Sequence, residues 1–279
     1  TRYGTVTGVQ TCALPIYHSL HLSVSKGFAP PTGSEVNNAD GTINQNIRPE
    51  TGINYELNAK GTWLNNKLSY DVSVYRFNLS DELIPQSVAQ QITIFNNAGK
   101  TFRNGIELGL FWDALKNKNQ FLSLVRPFTT ITYSDFRFED YKILNQQNVV
   151  VSDFSGNALT GIMPWVINAG IDIETKFGFY LYSTFFYNDQ MPMNDANTDF
   201  NESYKVVNIK MGYRKNWKRL GLNIYTGADN IFNEKYSSQI ALNARSFAAP
   251  GQSIPPAPYF NPSPETMWYG GISIKYFFK

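Results

Sequence analysis

Along most of this chain, apolar and polar residues take turns one by one. Between Leu220 and Asp229, Leu220, Leu222, Ile224, Thr226 and Ala228 fall on one side of an extended strand. Gly221, Asn223, Tyr225, Gly227 and Asp229 fall on the other. The closing segment repeats the pattern, with Trp268, Ile272, Ile274, Tyr276 and Phe278 against Ser273 and Lys275. Alternation with period two marks a strand held between an apolar and a polar environment.

The same pattern predicts strands at Tyr17–Phe28, about Glu50–Trp63, Leu68 to about Asp81, Ile94–Trp112, and Phe121–Phe138 with a bend at Pro127. Further strands are predicted at about Trp165–Glu174, Phe179–Tyr187 and Ser203–Arg214. With the two above, roughly ten strands result, each near or above the ~9–11 residues that cross a bilayer at barrel tilt. Short turns near Asn65, Lys118, Phe177 and Trp217 alternate with long polar connections near Asp40, Gln90, Asn148, Asp195 and Ser253. Asn tolerates the left-handed backbone of tight hairpins, which suits Leu64-Asn65-Asn66-Lys67.

Two arrangements compete, a soluble β-sandwich and a transmembrane barrel. In a sandwich the carboxylates and lysines on the polar side (Glu56, Lys60, Asp71, Glu107, Asp172, Glu174, Lys275) would each need a partner in a dry core. A wet lumen removes that cost. Short turns on one side and long loops on the other are the outer-membrane barrel rhythm, whereas a Greek-key sandwich mixes its loop lengths. The predicted fold is all-β, an antiparallel transmembrane β-barrel, with the last strand running toward the short-turn side. Ten strands leave two open edges, which lipid does not tolerate, so this wall is expected to be part of a larger barrel.

Composition agrees. Charged residues are 16% and aromatics 15%, with 17 Tyr and 20 Phe among 279 residues. That is little charge for a water-facing surface and many rings for membrane interfaces. No apolar run is long enough for a membrane-spanning helix. The net charge of +2 is spread along the chain, which argues against nucleic acid. The segment Val6–Ile16, VTGVQTCALPI, breaks the strand pattern and resembles the in-frame translation of a sequencing adapter. Residues 1–16 are therefore expected to be non-native, with the natural sequence starting near Tyr17 inside a longer gene product. Cys12 then carries no redox or metal role.

Four ordered pieces resemble the barrel of TonB-dependent outer-membrane receptors, the siderophore receptors in particular. They are SKGFAPP (Ser25–Pro31), IRPETGINYELNAKG…LSDELI (Ile47–Ile84), NNAGKTFRNGIELGLFW (Asn96–Trp112) and ADNIFNEKY (Ala228–Tyr236). One difference is Lys279 after Phe278, where such barrels usually end on an aromatic residue. The resemblance implies that residues 17–279 are the C-terminal part of a 22-stranded barrel, with a plug domain and a coupling box upstream. It also implies an outer-membrane location in a Gram-negative bacterium and energised uptake of ferric siderophores. Implied partners are the TonB–ExbB–ExbD complex, the barrel assembly machinery and outer-membrane lipid. Uptake of a vitamin or glycan by the same machinery, or a passive porin or structural barrel, are the alternatives.

No cofactor is expected, the ferric siderophore being cargo that arrives with its iron already coordinated. Nor does any His, Cys or carboxylate group show zinc or iron spacing, and no nucleophile–base order suggests an enzyme. Candidate ligand contacts lie in the long loops: Tyr141 and Lys142 in the middle one, and Arg245, Phe247, Tyr259 and Phe260 in the last. Rings and cations there suit catecholate or anionic cargo through stacking and charge. Glu56, Arg103 and Glu107 are expected to face the lumen, where Arg103 and Glu107 could pair or meet the plug. Asn230 and Phe232 are expected to close the top of their strand.

Overall fold

The computed structural model describes residues 17–37, 42–88, 92–97, 99–144, 149–243 and 260–278. Ten strands pair in chain order into one antiparallel meander. They are β1 (His18–Ala29), β2 (Glu50–Trp63), β3 (Leu68–Ser80), β4 (Lys100–Trp112) and β5 (Leu122–Asp140), then β6 (Trp165–Thr175), β7 (Phe179–Asn188), β8 (Tyr204–Asn216), β9 (Leu220–Asp229) and β10 (Met267–Tyr276). Among the described residues β1 and β10 each pair on one side only.

Register turns the alternation of single strands into two continuous faces. Leu20, Ala59, Val72, Leu108, Ile131 and Ile167 stand in one row across β1 to β6. The neighbouring row on the opposite face is Ser19, Lys60, Asp71, Gly109, Thr130 and Asn168. A one-residue slip would invert every strand, so a two-sided environment fixes the register. Among the described residues nothing covers the apolar face: Leu22 is 77% and Ile274 67% exposed. In a sandwich a second sheet would bury these side chains. The fully apolar cluster that does exist, Phe138, Tyr141 and Leu159, lies beside the loops rather than under the sheet. The sheet is therefore a barrel wall, apolar toward lipid and polar toward the lumen.

Ring pairs sit at both ends of this outer face. Trp63 stacks on Tyr70 at 4.6 Å and Phe179 meets Tyr213 at 4.9 Å on the turn side. On the loop side Tyr133 meets Trp165 at 4.7 Å. Rings with a polar edge suit the two water–lipid boundaries.

The short turns follow their sequences. Leu64, Asn65 and Asn66 all take positive φ, and Gly178 has φ 109°, where a Cβ would lie 2.2 Å from the Arg214 carbonyl oxygen. In the turn after β4, Asp113 accepts hydrogen bonds from Arg126 (2.7 Å) and Lys116 (3.1 Å). These bonds, that of Arg126 foremost, hold its carboxyl below the usual carboxylate range. A depressed folded pKa means that this stabilisation is complete above the ordinary value and is lost as pH falls through the folded one.

Two expectations need correction. Ile94–Trp112 is not one strand: Ile92–Asn97 forms a separate hairpin with Leu83–Val88, and β4 starts at Lys100. Gly99 makes the break, because a Cβ there would lie 2.1 Å from the Asp140 carbonyl oxygen where the chain crosses the end of β5. The Asn97 amide anchors the same crossing through the carbonyls of Arg48 and Asp81. The second concerns Pro127, which causes no shift of register against β6. It stands where the other neighbour changes, from Phe111 opposite Phe128 to Leu115 opposite Val125. Its missing N–H falls at a gap in the ladder, the position a strand tolerates.

β9, which leads into the last long loop, ends at Asp229, and Asn230 after it is buried with φ 51°. Its side chain donates to the Glu234 carbonyl (2.9 Å) and accepts from the Glu234 N–H (2.8 Å), while its own carbonyl takes the Thr266 hydroxyl (2.6 Å). Asn230 is thus the structural cap anticipated for the NIFN motif. Phe232 beside it is exposed.

The two faces can be told apart by substitution. Ile131→Arg places a charge mid-band on the lipid face and should cost about 2–4 kcal/mol, whereas Thr130→Arg, one residue away on the polar face, should cost far less. Denaturant titration of the barrel folded in vesicles measures both, and equal costs would contradict the assignment of faces.

Candidate functional site

The polar face is a ladder of short-range hydrogen bonds. Glu56 accepts from the Ser73 hydroxyl at 3.1 Å, and the Asn58 amide donates to Asp71 at 2.7 Å. Farther round, Glu174 accepts from Tyr182 (2.7 Å) and from Arg214 (3.0 Å), and the Lys210 ammonium sits 4.3 Å over the Tyr225 ring. Glu107 remains exposed on this face. Arg103 does not pair with it. The guanidinium turns toward the loop end instead and pairs with Glu82, whose second oxygen takes the hydroxyl of the fully buried Thr101. The rings of Phe77 and Phe136 flank Arg103 at 5.9 Å each. Glu82, already held by the Thr101 hydroxyl, thus takes the guanidinium that Glu107, two pleat repeats along the strand, does not.

At the loop end of the same face lies a cavity of about 260 Å³ whose wall includes Phe186, Tyr204, Asp229, Tyr236, Glu265 and Met267. Tyr204 projects from the first residue of β8, and the segment after Asn230 brings Tyr236 over it. The rings stack at 4.3 Å with an interplanar angle of 12°. The hydrogen-bonded turn at Asn230 sets that approach. The cavity combines flat aromatic surface, two carboxylates and an opening on the lumen side of the wall. Such a surface can hold a planar, polar cargo by stacking and hydrogen bonds.

Beside it, three loops are joined through Asp195. The carboxylate accepts from the Thr160 hydroxyl (2.5 Å) and the Asn243 amide (3.2 Å), and its N–H donates to the Asn243 side chain (3.0 Å). The Asn157 amide donates to the Asp195 carbonyl (2.8 Å), and Asn197 exchanges bonds with the backbone of Ala158. These contacts fasten the connection after β5, the one after β7 and the one after β9 to each other.

Of the residues expected to touch cargo, Tyr141 and Lys142 are fully described. Tyr141 is 3% exposed, packed with Phe138 at 4.8 Å and Phe154 at 5.3 Å, so its ring supports the loop from within. Lys142 is exposed and pairs with Asp140 at 3.0 Å. Arg245, Phe247 and Tyr259 lie outside the described residues, as does the side chain of Phe260, whose backbone pairs with Ile240. Sequence reading missed Tyr204, Asp195 and Glu82. Tyr236 stood inside the ADNIFNEKY motif, and its partner could have been sought among aromatics at strand starts. Among the described residues no group of three or more His, Cys, Asp or Glu is placed to hold a metal ion.

The sequence pattern of the family described as "TonB dependent receptor-like, beta-barrel" matches residues 15–231. Among solved structures, the chain is similar to the siderophore receptor PiuA from Acinetobacter baumannii, with TM-score 0.67 and 16% identity over 94% of this chain and 34% of that one. It is also similar to the ferric yersiniabactin uptake receptor FyuA from Yersinia pestis, with TM-score 0.64 and 17% identity over 95% and 36%. The copper transporter OprC gives TM-score 0.64 and 16% identity over 93% and 37%. The chain thus spans about a third of the length of each. At these identities the likeness is one of fold.

Removing the Asp195 side chain tests whether the three loops are one unit. Asp195→Ala should leave the Thr160 hydroxyl and Asn243 amide without their acceptor, at a cost of about 1–3 kcal/mol. Hydrogen exchange should then quicken together in residues 154–161, 191–199 and 240–243, while the strands stay protected. Quickening confined to residues 191–199 would show that the loops move independently.

Proposed function

The chain belongs to the TonB dependent receptor-like β-barrel family, and from that membership we propose that it is the C-terminal barrel wall of an outer-membrane receptor for a ferric siderophore. The observation that carries this reading is the cavity at the loop end of the polar face, with its Tyr204–Tyr236 stack. A catecholate or similar planar chelator can lie against such rings, and its iron needs no protein ligand. Similar structures include a siderophore receptor and a ferric yersiniabactin uptake receptor.

In this reading each layer has a task. The loops joined at Asp195 shape the outer entrance. Below them the stacked tyrosines hold the cargo at the top of the lumen. The polar ladder of β1 to β6, with Glu107 and Lys60 left open to solvent, offers hydrogen bonds and charge to a plug that fills the barrel. Energy then enters through a coupling segment on that plug, contacted by TonB with ExbB and ExbD. Residues 1–16 take no part in this, being read as adapter-derived, and the complete gene is expected to encode plug and coupling box upstream of Tyr17. The family is one of receptors, and no step here calls for a catalyst.

The test is growth and binding under iron limitation in a strain that depends on the complete receptor. Uptake of a ferric siderophore should require the energising complex. Tyr204→Ala with Tyr236→Ala should weaken cargo binding on the order of tenfold, given about 0.5–1.5 kcal/mol for each aromatic contact. Uptake of copper, a vitamin or a glycan in place of every ferric siderophore would replace the cargo while keeping the machinery. Passive conductance independent of the energiser would overturn both.

A further inference from the structure

The two sides of the lumen face differ in charge. On β2 to β4 the carboxylates of Glu56, Asp71 and Glu107 prevail, with Lys60 among them and Arg103 drawn off to Glu82. On β8 to β10 cations prevail, Lys210, Arg214 and Lys275, with Asp229 toward the loops. Hydroxyl-bearing rings follow the cations. Tyr180, Tyr182, Tyr204, Tyr225 and Tyr269 stand on the lumen side of β7 to β10, and among the described residues Tyr75 alone does so on β1 to β6.

These groups converge at mid-depth. Tyr182, Lys210, Gly227 and Tyr269 occupy one row across β7 to β10, and Tyr225 stands in the next row. Glycine makes room for the rings: a Cβ at Gly227 would collide with the Tyr269 ring, and one at Gly271 with that of Tyr225. Both rings therefore lie across the neighbouring strand, close against the wall. The Lys210 ammonium rests 4.3 Å from the Tyr225 ring centroid and, among the described residues, forms no ion pair. Asp172, at the β6 end of the same row, stands opposite Arg126 on its other side. The wall of the loop-end cavity leads here, because Asn208 and Asp229 line that cavity and Lys210 and Gly227 are the next lumen residues below them. Along β8, Tyr204 and Lys210 are roughly 20 Å apart.

We propose that Lys210, Tyr225, Tyr182 and Tyr269 form a second station for the cargo, midway down the lumen, where an anionic, planar ferric chelate rests after leaving the loop-end cavity. An ammonium held on a ring without a carboxylate attracts the anion, and the tyrosine faces and hydroxyls take its planar, polar ligand groups. The carboxylates of β2 to β4 repel the same cargo and keep it on the β8 to β10 side. This deepens the reading of the chain as the wall of a ferric-siderophore receptor and rests on it.

The complete receptor in iron-limited cells supplies the test. The probes are ferric complexes of a catecholate, a hydroxamate and a citrate chelator, each carrying radioactive iron. For a probe that the unaltered receptor takes up, Lys210→Gln with Tyr225→Leu should slow initial uptake on the order of tenfold. Affinity measured in de-energised cells should fall less than about twofold, since the loop-end site is intact. Lys210→Arg should keep the rate, and Tyr75→Leu, on the β2 to β4 side, should leave it unchanged. Heat-modifiable migration reports whether each variant is folded; should the double variant not fold, Lys210→Met alone decides, with uptake slowed about threefold. An unchanged rate in the folded variant overturns the proposal, as does an equal loss from Tyr75→Leu. Affinity that falls as far as the rate would make Lys210 part of the loop-end site. Raised passive conductance with normal uptake would make it a plug contact, and either result overturns the station alone. An unaltered receptor that takes up none of these ferric complexes overturns the siderophore reading, and the station with it.

Discussion

The backbone hydrogen-bond ladder is the constraint from which the rest of this structure follows. In hydrocarbon an unpaired N–H or C=O costs several kcal/mol, so a spanning wall must pair every strand on both sides. Ten strands in simple up-and-down order satisfy this between neighbours with no crossover. The same ladder dictates where irregularity is allowed. Pro127 sits at a change of neighbour, and the Gly99 crossing and the Asn230 cap come only where strands have left the membrane band. Among the described residues β1 and β10 each pair on one side only.

Once the backbone is satisfied, side chains are free to serve two solvents. The outer rows need only be apolar, and their exact shapes matter little, which is why Leu, Ile, Val, Ala and Thr share one band. The inner rows carry more information. Glu56 with Ser73, Asn58 with Asp71, and Glu174 with Tyr182 and Arg214 are pairings between adjacent strands. They lock register a second time and leave certain groups, Glu107 and Lys60, facing the water of the lumen.

That division explains what could be read from the chain directly. Strand positions, turn sides and the identity of the two faces follow from period-two alternation and loop length, both local properties. β2 matches its predicted limits because Glu50–Trp63 alternates without interruption and ends in two asparagines suited to positive φ. Ile94–Trp112 misled because its alternation runs straight through Gly99, and the crossing at Asp140 that requires the glycine is distant in sequence. The surroundings of Tyr141 were hidden for the same kind of reason. Tyr141 looks like an exposed aromatic beside a lysine, yet Leu159 and Phe154 return over it and make it core. Asp195 is unremarkable in its own segment and becomes a hub only when residues 157–160 and 243 arrive.

Motif and geometry meet at Asn230. The NIFN asparagine is part of the cavity wall, with its side chain spent on Glu234 and its carbonyl on Thr266. By fixing that turn, it decides where Tyr236 lands, and so creates the stack with Tyr204. A residue in the cavity wall thus shapes that wall through its neighbours as well as through its own surface, while the strands below supply a frame whose outer rows could exchange one aliphatic for another.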